Sequence, residues 1–225
     1  MVENIKKDVE EILSKDNSGH DIEHVIRVLN LSLKFAEKEK AKRDVVALIA
    51  LLHDVDDYKL FGMEDANNLT NAKRIMNKHN VNSDVKEQVL AELKNIGYSK
   101  RLQGISPITI EGKIVSDADM CDAIGANSII RTCAYSISKN KPFFDRNAFP
   151  DEKLDAEEYI KKTTASSVCH FFEKLLRLKN LMLTKSGKEE AEYRHKLNVD
   201  FLYHLFDEED AKDWKEYLDK FIKNN

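Results

Sequence analysis

Proline and glycine are scarce, with 3 and 7 in 225 residues, against ordinary usage of roughly 5% and 7%. Sandwiches and barrels need many tight turns, and tight turns draw on those two residues, so the shortage argues against an all-β chain and for helices joined by short links. Cysteine is equally thin. Cys121, Cys133 and Cys169 are an odd number, far apart and without a CxxC pair, a pattern of reduced core residues in a cytosolic protein rather than of a disulfide framework. A surplus of one charge is also missing. The 36 Lys and Arg against 40 Asp and Glu leave a net charge of -4, so no basic footprint marks nucleic acid as the main partner. No run reaches the roughly 18 apolar residues of a membrane span, and Met1 to Asp16 has no apolar stretch of the kind a secretory signal carries. The expectation is a soluble, cytoplasmic protein.

What remains is a chain with 42% hydrophobic and 34% charged residues, enough to build a core and cover it with a solvated surface. At about 150 residues per domain the length allows one or two domains. We read residues 1–225 as a single domain, with a helical core over about 19–206 and a C-terminal helix reaching 223. Val2, Ile5, Val9, Ile12 and Leu13 recur on one helical face before Asp16-Asn17-Ser18-Gly19 breaks the pattern. A second helix starts at about His20, with Ile22, Val25, Ile26, Leu29, Leu33 and Ala36 as its stripe.

Val45 to Leu52 (VVALIALL) is apolar without interruption. Its Ala and Leu content and its flanks, free of Gly and Pro, favour a central buried helix over a strand. That element stops at His53-Asp54-Val55-Asp56-Asp57. A wholly apolar element ending in so many ionisable groups is a local conflict, and such conflicts gather at functional sites. Further helices are expected at Glu64 to His79, at Ser83 to Ile96 with Ser83 as N-cap, and in two pieces around Gly125 within Pro107 to Lys139. Three more are expected at Ala156 to Lys185, at Lys188 to Phe206 and at Ala211 to Ile222, with Gly187 punctuating the first pair. Ser138 to Asp155 holds two of the three prolines and no period, so it reads as a long loop of the kind that serves as a lid. The fold class is all-α, with the central buried helix ending in the His-Asp pair.

Histidines and carboxylates recur at the ends of these elements: His20-Asp21-x-x-His24, His53-Asp54, and Asp117 within Ser116-Asp117-Ala118-Asp119. Residues 20 and 24 share a helix face, and so do 21 and 24. Adjacent His53 and Asp54 are about 100° apart and both reach a site lying off the helix end. A helical bundle can bring such side chains from three helices to one cation. Two His and two Asp without thiolate is not the closed, Cys-rich set of structural zinc. Mixed imidazole and carboxylate suits Mn, Fe, Co, Ni or Mg with open positions for water, and open positions imply catalysis. Asp119 and Asp122 read as carboxylates that cap or pair within the bundle.

The order H…HD…D in a helical chain resembles the HD-domain superfamily of metal-dependent phosphohydrolases. The likeness extends to Gly19-His20-Asp21 with His24 and Arg27-Val28, to Leu51-Leu52-His53-Asp54 with Asp57 and Lys59, and to Ile114-Val115-Ser116-Asp117-Ala118-Asp119 with Asp122-Ala123-Ile124-Gly125-Ala126. It continues through Arg131-Thr132, His170-Phe171, Lys179 and Arg194-His195, and covers about residues 19 to 206. The branch it resembles includes bacterial nucleoside triphosphate pyrophosphohydrolases. By that resemblance His24, His53, Asp54 and Asp117 hold a divalent metal ion, one per chain, and His20 and Asp21 support the ligands or face phosphate. Asp57 matches the acidic general acid/base, and Lys59 a cation that neutralises phosphate. Arg27, Arg131, Lys174, Lys179, Arg194 and His195 are the candidate substrate contacts. One departure is visible: Met120-Cys121 stands where the resemblance implies Arg-Leu, which bears on substrate choice.

The resulting expectation is an enzyme that hydrolyses a nucleoside triphosphate to monophosphate and pyrophosphate. Its alternatives are a nucleoside monophosphate phosphatase, a cyclic-nucleotide phosphodiesterase, or a helical module that binds nucleotide without hydrolysis. A di-iron oxygenase would need more ligands than these, drawn from His20, His170 and His195. The partner is a small nucleotide, with neither membrane nor nucleic acid, and room is left for a homodimer.

Overall fold

A computed structural model describes residues 1–14, 22–151 and 164–224. Among these residues there are twelve α-helices, one 3-10 helix and no strand. None of the helices is long and apolar enough to cross a membrane. The described chain divides into two compact units, Met1–Asp119 and Met120–Asn225.

The first unit is organised by the apolar run. Helix α1 (Val2–Leu13) buries Ile5, Val9 and Leu13, and α2 (Ile22–Glu39) buries His24, Val25, Val28, Leu29, Leu31, Ser32, Phe35 and Ala36. Helix α3 (Arg43–Leu52) has every residue from Val45 to Leu52 buried. It packs chiefly against α2 and also against α1 and α6 (Ser83–Leu93). A helix that is apolar all round has no solvated side to offer, so it takes the centre. Each of its large side chains contributes roughly 1.5–3 kcal/mol by leaving water. The strength of that packing fixes the position of the residue that follows, His53, the C-cap of α3.

The segment expected as one helix over Glu64 to His79 is two. Helix α4 (Tyr58–Asn68) bends at Gly62, where φ is 85°, and the chain breaks at Leu69, with φ 51°, before α5 (Thr70–Lys78). Leu69 has no side chain able to cap α5, so the amides of its first turn find Asp56 instead. Asn71 N–H donates to Asp56 Oδ1 at 2.8 Å and Ala72 N–H to Oδ2 at 2.9 Å. Helix α6 starts at Asn82, whose side chain accepts from Asp84 N–H at 2.9 Å, so Asn82 and not Ser83 is the N-cap. That helix ends at Leu93, earlier than Ile96. A short helix α7 (Tyr98–Leu102) and the long α8 (Ile110–Asp122) follow.

The second unit contains α9 (Ala126–Ser138), α10 (Ser167–Glu173), the 3-10 helix Leu175–Leu181, α11 (Lys185–Glu208) and α12 (Lys212–Asn224). The continuous helix expected up to Lys185 breaks at Lys174, whose φ of -135° and ψ of -62° are not helical. Gly187 lies inside α11 rather than before it, because Thr184 caps the helix by accepting from Gly187 N–H at 2.9 Å. The core is aromatic. Trp214 is fully buried, stacks on Phe149 with ring centroids 4.4 Å apart and meets Phe144 edge-on at 5.1 Å. Its indole N–H donates to the Arg146 carbonyl.

Those contacts change the reading of the long loop. Its described part is fastened at several points: Val168 N–H donates to the Phe143 carbonyl, Arg146 donates to the carbonyls of Glu209 and Asp210, and Asp151 N–H donates to Glu173 Oε1. Residues 139–151 are therefore a packed connection and not a lid. The remainder of the expected loop, and the start of the helix expected at Ala156, lie outside the described residues.

Candidate metal centre

The site begins where the central helix runs out. Val45 to Leu52 are held by packing, so His53 and Asp54 emerge at a fixed place at its C-terminal end. His53 Nδ1 lies 2.8 Å from the Ala50 carbonyl. A carbonyl only accepts, so the ring carries its proton on Nδ1 and presents Nε2 as a lone pair. Helix α2, the chief neighbour of α3, brings His24 to meet it, and the two Nε2 atoms are 3.2 Å apart.

Carboxylates complete the cluster. Asp54 Oδ2 is 3.4 Å from His24 Nε2 and 3.5 Å from His53 Nε2, and Asp119 Oδ1 is 3.5 Å from His24 Nε2. One ligand atom each from His24, His53 and Asp119 lies within 4.8 Å of the others. The imidazoles are shielded, with side chains 5% and 2% exposed, while Asp119 keeps 24% of its side chain open.

These residues fit a divalent cation. Bonds of about 2.1 Å separate neighbouring ligands by about 3.0 Å at right angles and about 3.4 Å at tetrahedral angles, the range seen here. Two imidazole nitrogens facing each other at 3.2 Å need a proton or a cation between them, and two carboxylates beside them favour positive charge. Burial works to raise the Asp119 pKa, but its hydrogen bond to His24 and the nearby His53 outweigh that and leave it below the usual carboxylate range. The Asp119 carboxylate is thus held in the form able to bind a cation.

The remaining residues named from sequence fall into three groups. Asp117 is buried two residues before Asp119 on α8, and it does not belong to the described group of ligand atoms; the structure gathers Asp119 with the histidines instead. Asp57 is half-buried, and its backbone carbonyl receives the first amides of α4, from Leu60 and Phe61. Arg27 lies one turn after His24 on α2 and is half-buried. His20, Asp21 and the side chain of Lys59 lie outside the described residues.

The other candidates belong to the second unit. Arg131 pairs with Asp122 at 3.0 Å, and Arg194 pairs with Glu190 at 2.7 Å while donating to the Cys121 carbonyl. Lys174 sits half-buried at the break between α10 and the 3-10 helix. Lys179, 3.9 Å from Glu192, lines an open cavity of about 500 Å³ together with His195, Tyr193 and Lys196. Burial, reinforced by Lys179, pushes His195 down to about 4, so that ring is neutral at pH 7. Burial and the Lys174 and Lys141 cations push His170 down to about 3. Cys121 and Cys169 are buried and Cys133 half-buried, all three as free thiols.

Sequence reasoning gave no role to Glu92, Glu111 or Asp56, which hold the elements carrying the site. A charged residue at a core position of an amphipathic helix is a readable signal. Glu92 stands between Val89 and Leu93 on the buried face of α6.

Comparison with known proteins agrees with this geometry. The model of the HD domain family matches residues 21–124. Protein YpgQ of Bacillus subtilis is 34% identical over 209 residues, covering 91% of this chain and 92% of YpgQ; its structure in complex with ADP superposes with a TM-score of 0.68 over 92% of this chain and 97% of that one, at 28% identity. A Lactobacillus plantarum structure gives a TM-score of 0.79 at 30% identity, covering 93% of this chain and 97% of its own. An HD-superfamily hydrolase from Bacillus thuringiensis gives 0.73 at 32% identity with the same coverage.

Proposed function

This chain belongs to the HD-domain family of metal-dependent phosphohydrolases, and from that premise we propose that it hydrolyses nucleoside triphosphates to monophosphate and pyrophosphate. The observation that carries the reading is the facing pair of imidazole nitrogens, 3.2 Å apart, flanked by Asp54 and Asp119. That set suits a divalent cation. The ADP bound to YpgQ supports a nucleotide as the ligand class.

In this reading His24, His53, Asp54 and Asp119 hold the cation. When bound, it supplies Lewis acidity toward a phosphoryl oxygen and toward water. The protein supplies the rest. The Ala50 carbonyl keeps the His53 proton on Nδ1 and so keeps Nε2 available. Asp57, three residues beyond Asp54, takes the proton of the attacking water and returns it to the leaving group. Arg27 and Lys59 neutralise charge on the phosphates, and His20 and Asp21 support the ligands or face phosphate. The water's oxygen bonds to the α-phosphorus as the bond to the bridging oxygen breaks, and that oxygen departs with pyrophosphate.

Purified protein supplied with Mn²⁺ and offered triphosphates, monophosphates and cyclic nucleotides tests the proposal. Pyrophosphate released in step with monophosphate from a triphosphate supports it. Orthophosphate from a monophosphate, ring opening of a cyclic nucleotide, or no turnover of any of them refutes it.

A further inference from the structure

The ligands arrive on separate helices, so something has to set the register between those helices. Helix α3 delivers His53 and Asp54, and α8 delivers Asp119. From Lys42 to His53 the chain rises about 16 Å, and from Glu111 to Asp119 about 12 Å. A slip of one residue would shift a ligand by about 1.5 Å and turn it by about 100°. Catalytic constellations tolerate about 0.5 Å.

Far from the ligands, one side chain bridges the starts of both helices. Glu111, in the first turn of α8, accepts the backbone N–H of Lys42, the N-cap of α3, at 3.0 Å through Oε1. Its other oxygen accepts from Gln88 Nε2 of α6 at 3.3 Å. Glu111 is 6% exposed, and among the described residues it makes no ion pair. A buried carboxylate satisfied by two neutral donors, with no ion pair beside it, is a costly way to cap a helix. A Glu or Gln at the third helical position, where this chain has Val45, would do that locally. What the distant carboxylate adds is a fixed offset between α3 and α8.

We infer that Glu111 is a positioning residue for the metal ligands: its buried carboxylate ties the first turn of α8 to the start of α3 and so sets where Asp119 meets His24 and His53. The inference rests on the metal reading above and deepens it. Reach, not charge, is the property that matters, because the partners are a backbone amide and a side-chain amide.

Two conservative variants separate reach from charge. Glu111→Gln keeps the chain length and an acceptor for Lys42 N–H, with the Gln88 amide turning over to accept from the new NH₂. Glu111→Asp keeps the charge and shortens the arm by one methylene. Binding of Mn²⁺ alone to the full chain is read by electron paramagnetic resonance of the free ion, alongside the melting temperature without metal. The expected result is Mn²⁺ affinity within about threefold of the unaltered chain for Glu111→Gln and a loss of about 10- to 100-fold for Glu111→Asp, the range found when groups that orient ligands are altered. Equal affinity in both variants, or the reverse order, overturns this inference while leaving the metal reading intact. Failure of the unaltered chain to bind Mn²⁺ overturns the metal reading, and this inference with it.

Discussion

Gly112→Ala puts a methyl group against the carboxylate that holds the start of α8. A Cβ at position 112 would lie 2.2 Å from Glu92 Oε2, 2.6 Å from Cδ and 2.9 Å from Cγ. Glu92 has little freedom to yield. It is 2% exposed and accepts the backbone amides of Ile108 and Thr109 at 3.0 and 2.8 Å. Reaching ordinary van der Waals separation requires a retreat of about 1 Å, which stretches both bonds beyond useful length. Hydrogen bonds to charged groups contribute roughly 1.5–3 kcal/mol each, and alanine regains about 1 kcal/mol over glycine inside a helix. The net expectation is a loss of about 2–5 kcal/mol, or roughly 4–20 °C in melting temperature for a chain of this length. Thermal unfolding followed by circular dichroism measures it, and a double-mutant cycle isolates the cause. In a Glu92→Ala background the carboxylate is already gone, so Gly112→Ala then stabilises by about 1 kcal/mol. The same sign and size in both backgrounds would refute the reasoning.

Asparagine at either candidate position on α8 tests the ligand assignment: Asp119→Asn is expected to weaken Mn²⁺ binding by about 100-fold or more and Asp117→Asn by less than about tenfold, and a titration giving the opposite order sinks it. Asp57→Ala is expected to retain Mn²⁺ yet turn over about 100-fold more slowly; full activity would remove Asp57 from the proton transfer. Stability is expected to decline as pH falls from 6.5 toward 4, because burial holds folded His195 near 4 while the unfolded imidazole takes up its proton near 6.5. In that interval the unfolded chain binds more protons, and this one residue accounts for about 3 kcal/mol. Urea midpoints across the range measure the slope, and an undiminished slope in His195→Asn would assign it elsewhere.

The helical character and the central helix were legible because composition and pattern agreed: few turn-formers throughout, and an eight-residue apolar run that only a buried position satisfies. Boundaries failed where a distant or local cap decided them. Nothing around Leu69 announces a break, since the carboxylate serving the amides of α5 is Asp56, fifteen and sixteen residues earlier. Gly187 looked like punctuation, yet Thr184 had already supplied the cap and glycine is accepted in the first turn. Ser138 to Asp155 looked free because it lacks a period, but its aromatic residues are core residues of the second unit, and Phe144 and Phe149 are fixed by Trp214.

At the site, the histidines were easier to place than the last carboxylate, and helix phase explains why. Residues two apart on a helix point about 200° from each other, so Asp117 and Asp119 cannot both face the histidines, and sequence chooses between them only if the helix shows which side is wet. Helix α8 shows no such side. Ile114, Val115, Ser116, Asp117, Ala118, Met120, Cys121 and Asp122 are all buried, so the alternation that orients α1 or α5 is absent. The start of the helix is fixed by contacts to other elements, by Glu92 of α6 on the amides of Ile108 and Thr109 and by Glu111 of its own first turn on Lys42 N–H. In the reading proposed above, the choice between the two aspartates rests on Glu92 and Glu111, eight and more residues from Asp119.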